Sequence, residues 1–255
     1  MTLLATSGWS SRLSLNHWLV QHDPKLSSTK TGAIGRLWTR MAARGLVEQR
    51  TIPVSYRPKI QAALVWLSDD GYRFLREMGL PAPLICEWDR LRLVHNGPEQ
   101  LVHTAMVVLA AHYLRQRGYL TLVCPTGLDS PYRPDLAICE PDTGHRCYVE
   151  VEAPHSGGRA HAERLRRKWR QLAVHQDFAA ICALNLQERQ RKVASARNVF
   201  EHGLATDLVT LRAEPAITWP TAWGHPHRAA GPGSARPGIC GGPQMVPLKA
   251  ALGCQ

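Results

Sequence analysis

Three carboxylates carry the most chemical content in this sequence. Asp135 follows Arg133 and Pro134 at the head of an apolar run, and Glu150 and Glu152 sit two apart in the run YVEVEA. Alternate residues of a strand face the same way, so the two glutamates share a face with Tyr148, while Val149, Val151 and Ala153 point to the other. The turn signal PDTG lies between the two runs, and a hairpin there brings Asp135 beside the glutamates. Carboxylates converging at strand ends suit a hard cation such as Mg²⁺. Such an ion polarises a phosphodiester and lowers the pKa of an attacking water. A plainer reading stands beside this one. Asp135 then only shapes the turn after Pro134, and Glu150 and Glu152 are exposed on an edge strand or paired with arginines of the next helix. Tyr132 and Tyr148 lie close enough to the cluster to be weighed as nicking nucleophiles. No Ser-His-Asp or Cys-His spacing emerges, and His103 and His112 read as helix-face residues near a core.

The elements that must position these groups follow from periodicity. Residues 99–116 form a helix with Leu101, Ala105, Val108 and Leu109 on one face. Strand-like runs follow at 119–124, 135–139 and 146–153. Next come a basic helix at 159–175, a buried strand in FAAICALN, a second basic helix in ERQRKVASARNVF and a last strand in DLVTLRA. The order is α-β-β-β-α-β, then α-β, and the closing alternation implies some parallel pairing. The 159–175 helix carries Arg164, Arg166, Arg167, Lys168 and Arg170 around an apolar stripe of Leu165, Trp169 and Leu172. Its basic face either solvates the helix or holds phosphates, with Arg166 and Arg167 as the DNA-contact candidates.

The first third of the chain reads differently. Residues 13–21 have helical spacing. A second helix at 33–44 has Ile34, Leu37, Trp38 and Met41 on one stripe and Arg36, Arg40 and Arg44 on another face, with Gly45 placed to end it. GLVEQR and ALVWLS read as two strands joined by a loop that contains Pro53 and Pro58 and carries Arg57 and Lys59. Ser68 can cap the helix DDGYRFLREMG. This order resembles the winged helix-turn-helix domains of bacterial DNA-binding proteins, over residues 10–80. The resemblance implies DNA contact by Arg36, Arg40 and Arg44, by Lys30 in the stretch before that helix, and by Arg57 and Lys59 at the wing. A solvated helix face is the alternative for the three arginines. Residues 81–98, punctuated by Pro81, Pro83, Gly97 and Pro98, read as a linker. Residues 214–255 are rich in Pro, Gly, Ala and His without periodicity and read as a disordered tail.

Bulk properties agree with a nucleic-acid partner. The chain has 255 residues, 44% hydrophobic and 20% charged, with a formal net charge of +11, an excess that favours a polyanion. Double-stranded DNA is the expected partner. No run approaches the roughly 20 apolar residues of a membrane span, no secretory layout opens the chain, and a membrane partner is not expected. The seven cysteines are scattered without a CxxC pair, which points to a reducing, cytoplasmic setting without structural zinc. A homodimer is weighed, with the 13–21 and 99–116 helices as candidate surfaces.

The motif "RPD" followed by "VEVE", set between an initial helix and a basic helix, resembles the PD-(D/E)xK nuclease superfamily. The fold class expected is therefore α/β (α+β): an N-terminal winged helix-turn-helix, then a restriction-endonuclease-like α-β-β-β-α-β core at 99–213. The resemblance implies Asp135 and Glu150 as metal ligands, Glu99 as an accessory acidic ligand, and a lysine two residues after the first glutamate. Glu152 occupies that lysine position, a departure from the pattern. Lys168 is the lysine the next helix can offer in its place. With the winged helix in front, "LVHTAMVVLAAHYL", "YRPDLAI", "YVEVE" and "RLRRKWRQL" together resemble the replication-relaxation proteins of plasmids and mobile elements. What this implies is a DNA-binding protein acting in DNA replication or relaxation, with a Mg²⁺-dependent nuclease-like domain that nicks or cleaves DNA as a metal-dependent endonuclease. The alternative is a non-catalytic initiator or transcriptional regulator with a degenerate nuclease fold.

Overall fold

The computed structural model describes residues 1–23, 26, 32–80, 84–95, 97–125, 132–154, 158–213 and 221–223. The chain is mixed α/β, with one two-stranded and one six-stranded sheet among these residues. It divides into two compact units after His112.

The first unit contains α1 (Thr2–Ser7), α2 (Arg12–His22), α3 (Gly32–Ala43), a hairpin of β1 (Val47–Tyr56) and β2 (Lys59–Leu67), α4 (Asp69–Glu77) and α5 (Glu87–Val94). Its core is Leu4, Leu15, Ile34, Trp38, Met41, Val47, Val65, Leu67 and Leu75. Helix α3 contributes Ile34, Trp38 and Met41 at i, i+4 and i+7, and the Trp38 indole donates to Asn16 Oδ1 of α2 at 2.7 Å. Leu37, expected on the same stripe, is 42% exposed, because it lies on the edge of the stripe nearest Arg44. Gly45 ends α3 in a left-handed conformation at φ 67°. Ser68 caps α4 by accepting the Gly71 N–H at 3.0 Å. A side chain at Gly71 would put its Cβ 2.1 Å from the Leu46 carbonyl oxygen, so only glycine lets the start of α4 pack this closely.

Two expectations for this unit need correction. The hairpin strands run much further than GLVEQR and ALVWLS: β1 and β2 pair antiparallel from Val47↔Leu67 to Tyr56↔Lys59, so Arg57 and Pro58 form the turn. Pro53 lies inside β1, at a register shift, where a residue with no N–H to give is tolerated. Residues 81–98 are also more than a linker. Cys86 caps α5, whose Glu87 is buried and accepts the Ser10 N–H at 3.0 Å. The Trp88 N–H is accepted by Ser10 Oγ at 2.9 Å, and the Trp88 ring stacks on Trp66 at 5.3 Å. The prolines and Gly97 flank this helix rather than interrupt it.

Helix α6 (Leu101–Gln116) follows a short 3₁₀ turn at Pro98–Gln100. Every residue from 104 to 114 is buried, so this part of the helix offers no free face for a homodimer. The division between the units falls inside α6, not at the expected 98/99 boundary. Its His112 belongs to the first unit, where Nδ1 lies 2.9 Å from Ser14 Oγ.

The second unit continues with β3 (Leu120–Val123), β4 (Leu136–Cys139), β5 (Arg146–Glu152), α7 (Arg159–Leu172), β6 (Ala179–Ala183), α8 (Leu186–Ala196), β7 (Gly203–Asp207), α9 (Leu208–Ala213) and β8 (Thr221–Trp223). From α6 the elements run α-β-β-β-α-β, then α-β. The sheet order is β3-β4-β5-β6-β7-β8. The first three strands are antiparallel, β5, β6 and β7 are parallel, and β8 is antiparallel to β7. The parallel pairs need crossovers, which α7 and α8 supply. These helices bury Leu165, Trp169, Leu172, Val193 and Ala196 against Ala179 and Ile181 of β6. The Trp169 indole donates to Ser195 Oγ at 3.2 Å.

Two further expectations change here. DLVTLRA is a helix, and the last long strand is the preceding Gly203–Asp207. Asp207 makes the switch: its carboxylate accepts the Thr210 N–H at 2.9 Å and the Thr210 hydroxyl at 3.0 Å, which starts a helix. Within the tail, residues 221–223 add a strand to the sheet, so that stretch is not disordered. Residues 224–255, including His225 and His227, lie outside the described residues.

Among the described residues no helix is long and apolar enough to cross a membrane. Of the cysteines described, Cys86, Cys124, Cys139 and Cys182 are buried and in no disulfide, and burial pushes the Cys86 thiol up to about 12, so it caps α5 as a protonated thiol.

Candidate functional site

The carboxylate site assembles from strands with two neighbours each. Leu136 pairs with Val149, so Asp135, one residue earlier, is level with Glu150. Strand β5 lies between β4 and β6, which removes the edge-strand reading of its glutamates. Glu150 is 0% exposed, Asp135 3% and Glu152 5%. Three carboxylates this deep require partners.

The partner is Lys168. Its position on α7 is four residues before Leu172 and three after Leu165, so packing of that stripe on the sheet turns the lysine inward. Its Nζ is 2.8 Å from Glu152 Oε1 and 3.4 Å from Asp135 Oδ2, and it also pairs with Glu150 Oε2. Asp135 Oδ2 accepts the Val151 N–H at 2.9 Å. Glu150 Oε1 accepts the Tyr132 hydroxyl, and the Tyr132 ring stacks on His175 at 5.5 Å.

A second lysine completes the cluster. Lys192 of α8 is buried, with Nζ 3.3 Å from Glu152 Oε2 and 3.3 Å from His161 Nε2. Glu152 therefore lies between two ammonium groups. Burial alone would raise its pKa, but Lys168 and then Lys192 outweigh this and hold it below the ordinary value. Burial would likewise lower Lys168, yet Asp135, Glu150 and Glu152 together drive it well above the usual lysine range. Both groups are charged at neutral pH.

The residues singled out in the sequence separate into three groups. Asp135, Glu150, Glu152 and Lys168 meet in one cluster. Arg166 and Arg167 stay on the exposed side of α7 and do not pair with Glu152, because the packing of α7 turns Lys168 inward and leaves them facing out. Arg36, Arg40 and Arg44 are exposed on or just past α3, and Arg57 and Lys59 are exposed at the hairpin turn. Lys30 and the side chain of Glu99 lie outside the described residues. Tyr148 does not join the cluster through its backbone: its N–H and C=O are both held by the Gln176 side chain, at 2.7 and 3.0 Å.

Sequence reasoning missed Lys192, His161 and the contact of Tyr132 with Glu150. One signal for Lys192 was available. It lies four residues from Glu188 and from Ala196 and beside Val193, on the face of α8 that is buried, and a lysine on a buried stripe requires a carboxylate. The chemistry of the cluster is that of a cation site. Hard carboxylate oxygens from two adjacent strands surround one position, and an ammonium group occupies it. No family model, no curated protein and no solved structure matches the chain.

Proposed function

We propose that this protein binds double-stranded DNA through its first unit and carries a nuclease-like site in its second, acting on DNA in replication or relaxation of a plasmid or mobile element. The observation that carries this reading is the convergence of Asp135, Glu150 and Glu152 on Lys168 Nζ. It supports a PD-(D/E)xK-like arrangement in which the lysine comes from the helix after the strand, while Glu152 stands where the pattern has that lysine. The helical, hairpin and capping order of the first unit supports a winged helix-turn-helix, with α3 and the Arg57–Lys59 turn as its basic surfaces.

The donor set fits Mg²⁺: Asp135 and Glu150 supply hard oxygens, and the Lys168 ammonium stands in for a cation between them. When bound there, the ion supplies Lewis-acid polarisation of a phosphodiester and a water of lowered pKa. The chain's own residues do the rest. Tyr132 and the Val151 N–H fix the Glu150 and Asp135 carboxylates by hydrogen bonds. Glu152, held by Lys192, anchors Lys168 beside them. Lys168 keeps its proton and offers N–H donors to the oxygens of a reacting phosphate.

The second reading, a non-catalytic initiator or regulator, is favoured by one feature: every carboxylate of the cluster already contacts an ammonium group. Incubation of supercoiled plasmid with Mg²⁺ or Mn²⁺ separates the two. Relaxed or linear product from the wild type, absent from Asp135→Ala and Glu150→Ala, supports the nuclease. Salt-dependent DNA binding without product from any of the three supports the regulator.

A further inference from the structure

We propose that Lys168 is a displaceable internal cation. Its ammonium holds the place that a divalent ion would take among Asp135, Glu150 and Glu152, so the ion enters only as Lys168 leaves. This rests on the nuclease-like reading of the site and adds a competition that the reading does not contain.

Three observations carry it. First, one ammonium reaches all three carboxylates at once, within 3.4 Å of Asp135 and 2.8 Å of Glu152 and in contact with Glu150. A second cation cannot share those oxygens at bonding distance without full like-charge repulsion. Second, Lys168 is more accessible than Lys192 and the three carboxylates. A quarter of its side chain is in solvent, against 4% for Lys192 and 0–6% for the three carboxylates. It can withdraw along its flexible stem, whereas Lys192 is locked between Glu152 and His161. Third, the charge balance shifts in favour of a dication once Lys168 leaves. Each lysine sets one positive charge against the three carboxylates, so withdrawal of Lys168 makes the cluster more negative by one charge. Lys192 is thus the permanent counter-charge of Glu152, and Lys168 the exchangeable one.

The test is Mn²⁺ binding to the full chain, measured by electron paramagnetic resonance of the free ion, with no DNA and no turnover. Lys168→Met keeps the length of the side chain and removes its charge. Its Mn²⁺ dissociation constant is expected to fall at least about tenfold below that of the wild type, and the gain is expected to vanish when Glu150→Ala is added. Equal affinities in wild type and Lys168→Met would overturn the competition and leave the metal site standing. No Mn²⁺ bound by either would overturn the metal reading itself. If Lys168→Met does not fold, the wild type answers alone: the ¹⁵N resonance of the Lys168 ammonium is followed while Mg²⁺ is added. Loss of its hydrogen-bonded signal in step with shifts at Glu150 supports displacement, and shifts at Glu150 with the ammonium signal unmoved overturn it.

Discussion

Glu152 shows how much a single residue's role depends on its partners. At the position where the nuclease pattern has a lysine, it supplies the opposite charge, and two lysines from two helices converge on it. Removing it by Glu152→Ala takes the carboxylate from buried Lys192 and should cost about 3–5 kcal/mol, read from urea unfolding. The pH dependence follows from the shifts. Glu152 is held below its unfolded value of 4.5, so its stabilisation is complete above that pH and is lost as the pH falls through the lower folded value. Lys168 is held above 10.5, so its stabilisation is complete below that pH and is lost as the pH rises through the higher folded value. The contribution of this pair should therefore be flat between these limits and fall at both ends, and Glu152→Gln should weaken the acid limb. An acid limb unchanged in Glu152→Gln would show that the pair does not set acid stability.

At the scale of elements, the chain uses side-chain carboxylates to change one structure into another. Asp207 ends β7, caps α9 through Thr210, and pairs with Arg189 of α8 at 3.1 Å while 1% exposed. Asp207→Ala removes the cap and strands the arginine, so a loss of about 3–5 kcal/mol is expected, with helical content reduced in circular dichroism. A loss below about 1 kcal/mol, the worth of an ordinary surface pair, would show that the arginine finds another partner. Periodicity identified most helices because their apolar stripes are built from Leu, Trp, Ile and Met at helical spacing. It failed at DLVTLRA, whose short β-branched run suits a strand equally well. What decides is Asp207, already hydrogen-bonded forward to Thr210.

For the whole molecule, with a net charge of +11, the proposed DNA binding is tested by how affinity responds to salt. Affinity should fall steeply and linearly on a logarithmic plot as salt rises. Replacing Arg36, Arg40 and Arg44 together by Ala should reduce the slope by about 1 for every phosphate that α3 no longer neutralises. The thermal midpoint should stay where it is, because all three arginines are exposed. An unchanged slope would remove α3 from the DNA surface. Replacing Arg166 and Arg167 in the same assay reports separately on α7, since the two helices belong to different units.

The sequence by itself determined a basic chain, the order of its strands and helices around the carboxylates, the facing of Glu150 and Glu152 to one side, and the glycine and serine stops at Gly45 and Ser68. These are local or period-bound properties, set by backbone geometry and capping over a few residues. Tertiary structure alone decided that β5 is an interior strand, that residues 87–94 form a helix packed in the first unit, and that Pro53 sits within a strand. It alone also decided which of five neighbouring basic residues on α7 turns inward. The stripe of Leu165, Trp169 and Leu172 is legible in the sequence, but its packing on β6, which fixes the rotation of the helix relative to the carboxylates, is not. Three buried carboxylates then require the one side chain that the rotation presents to them.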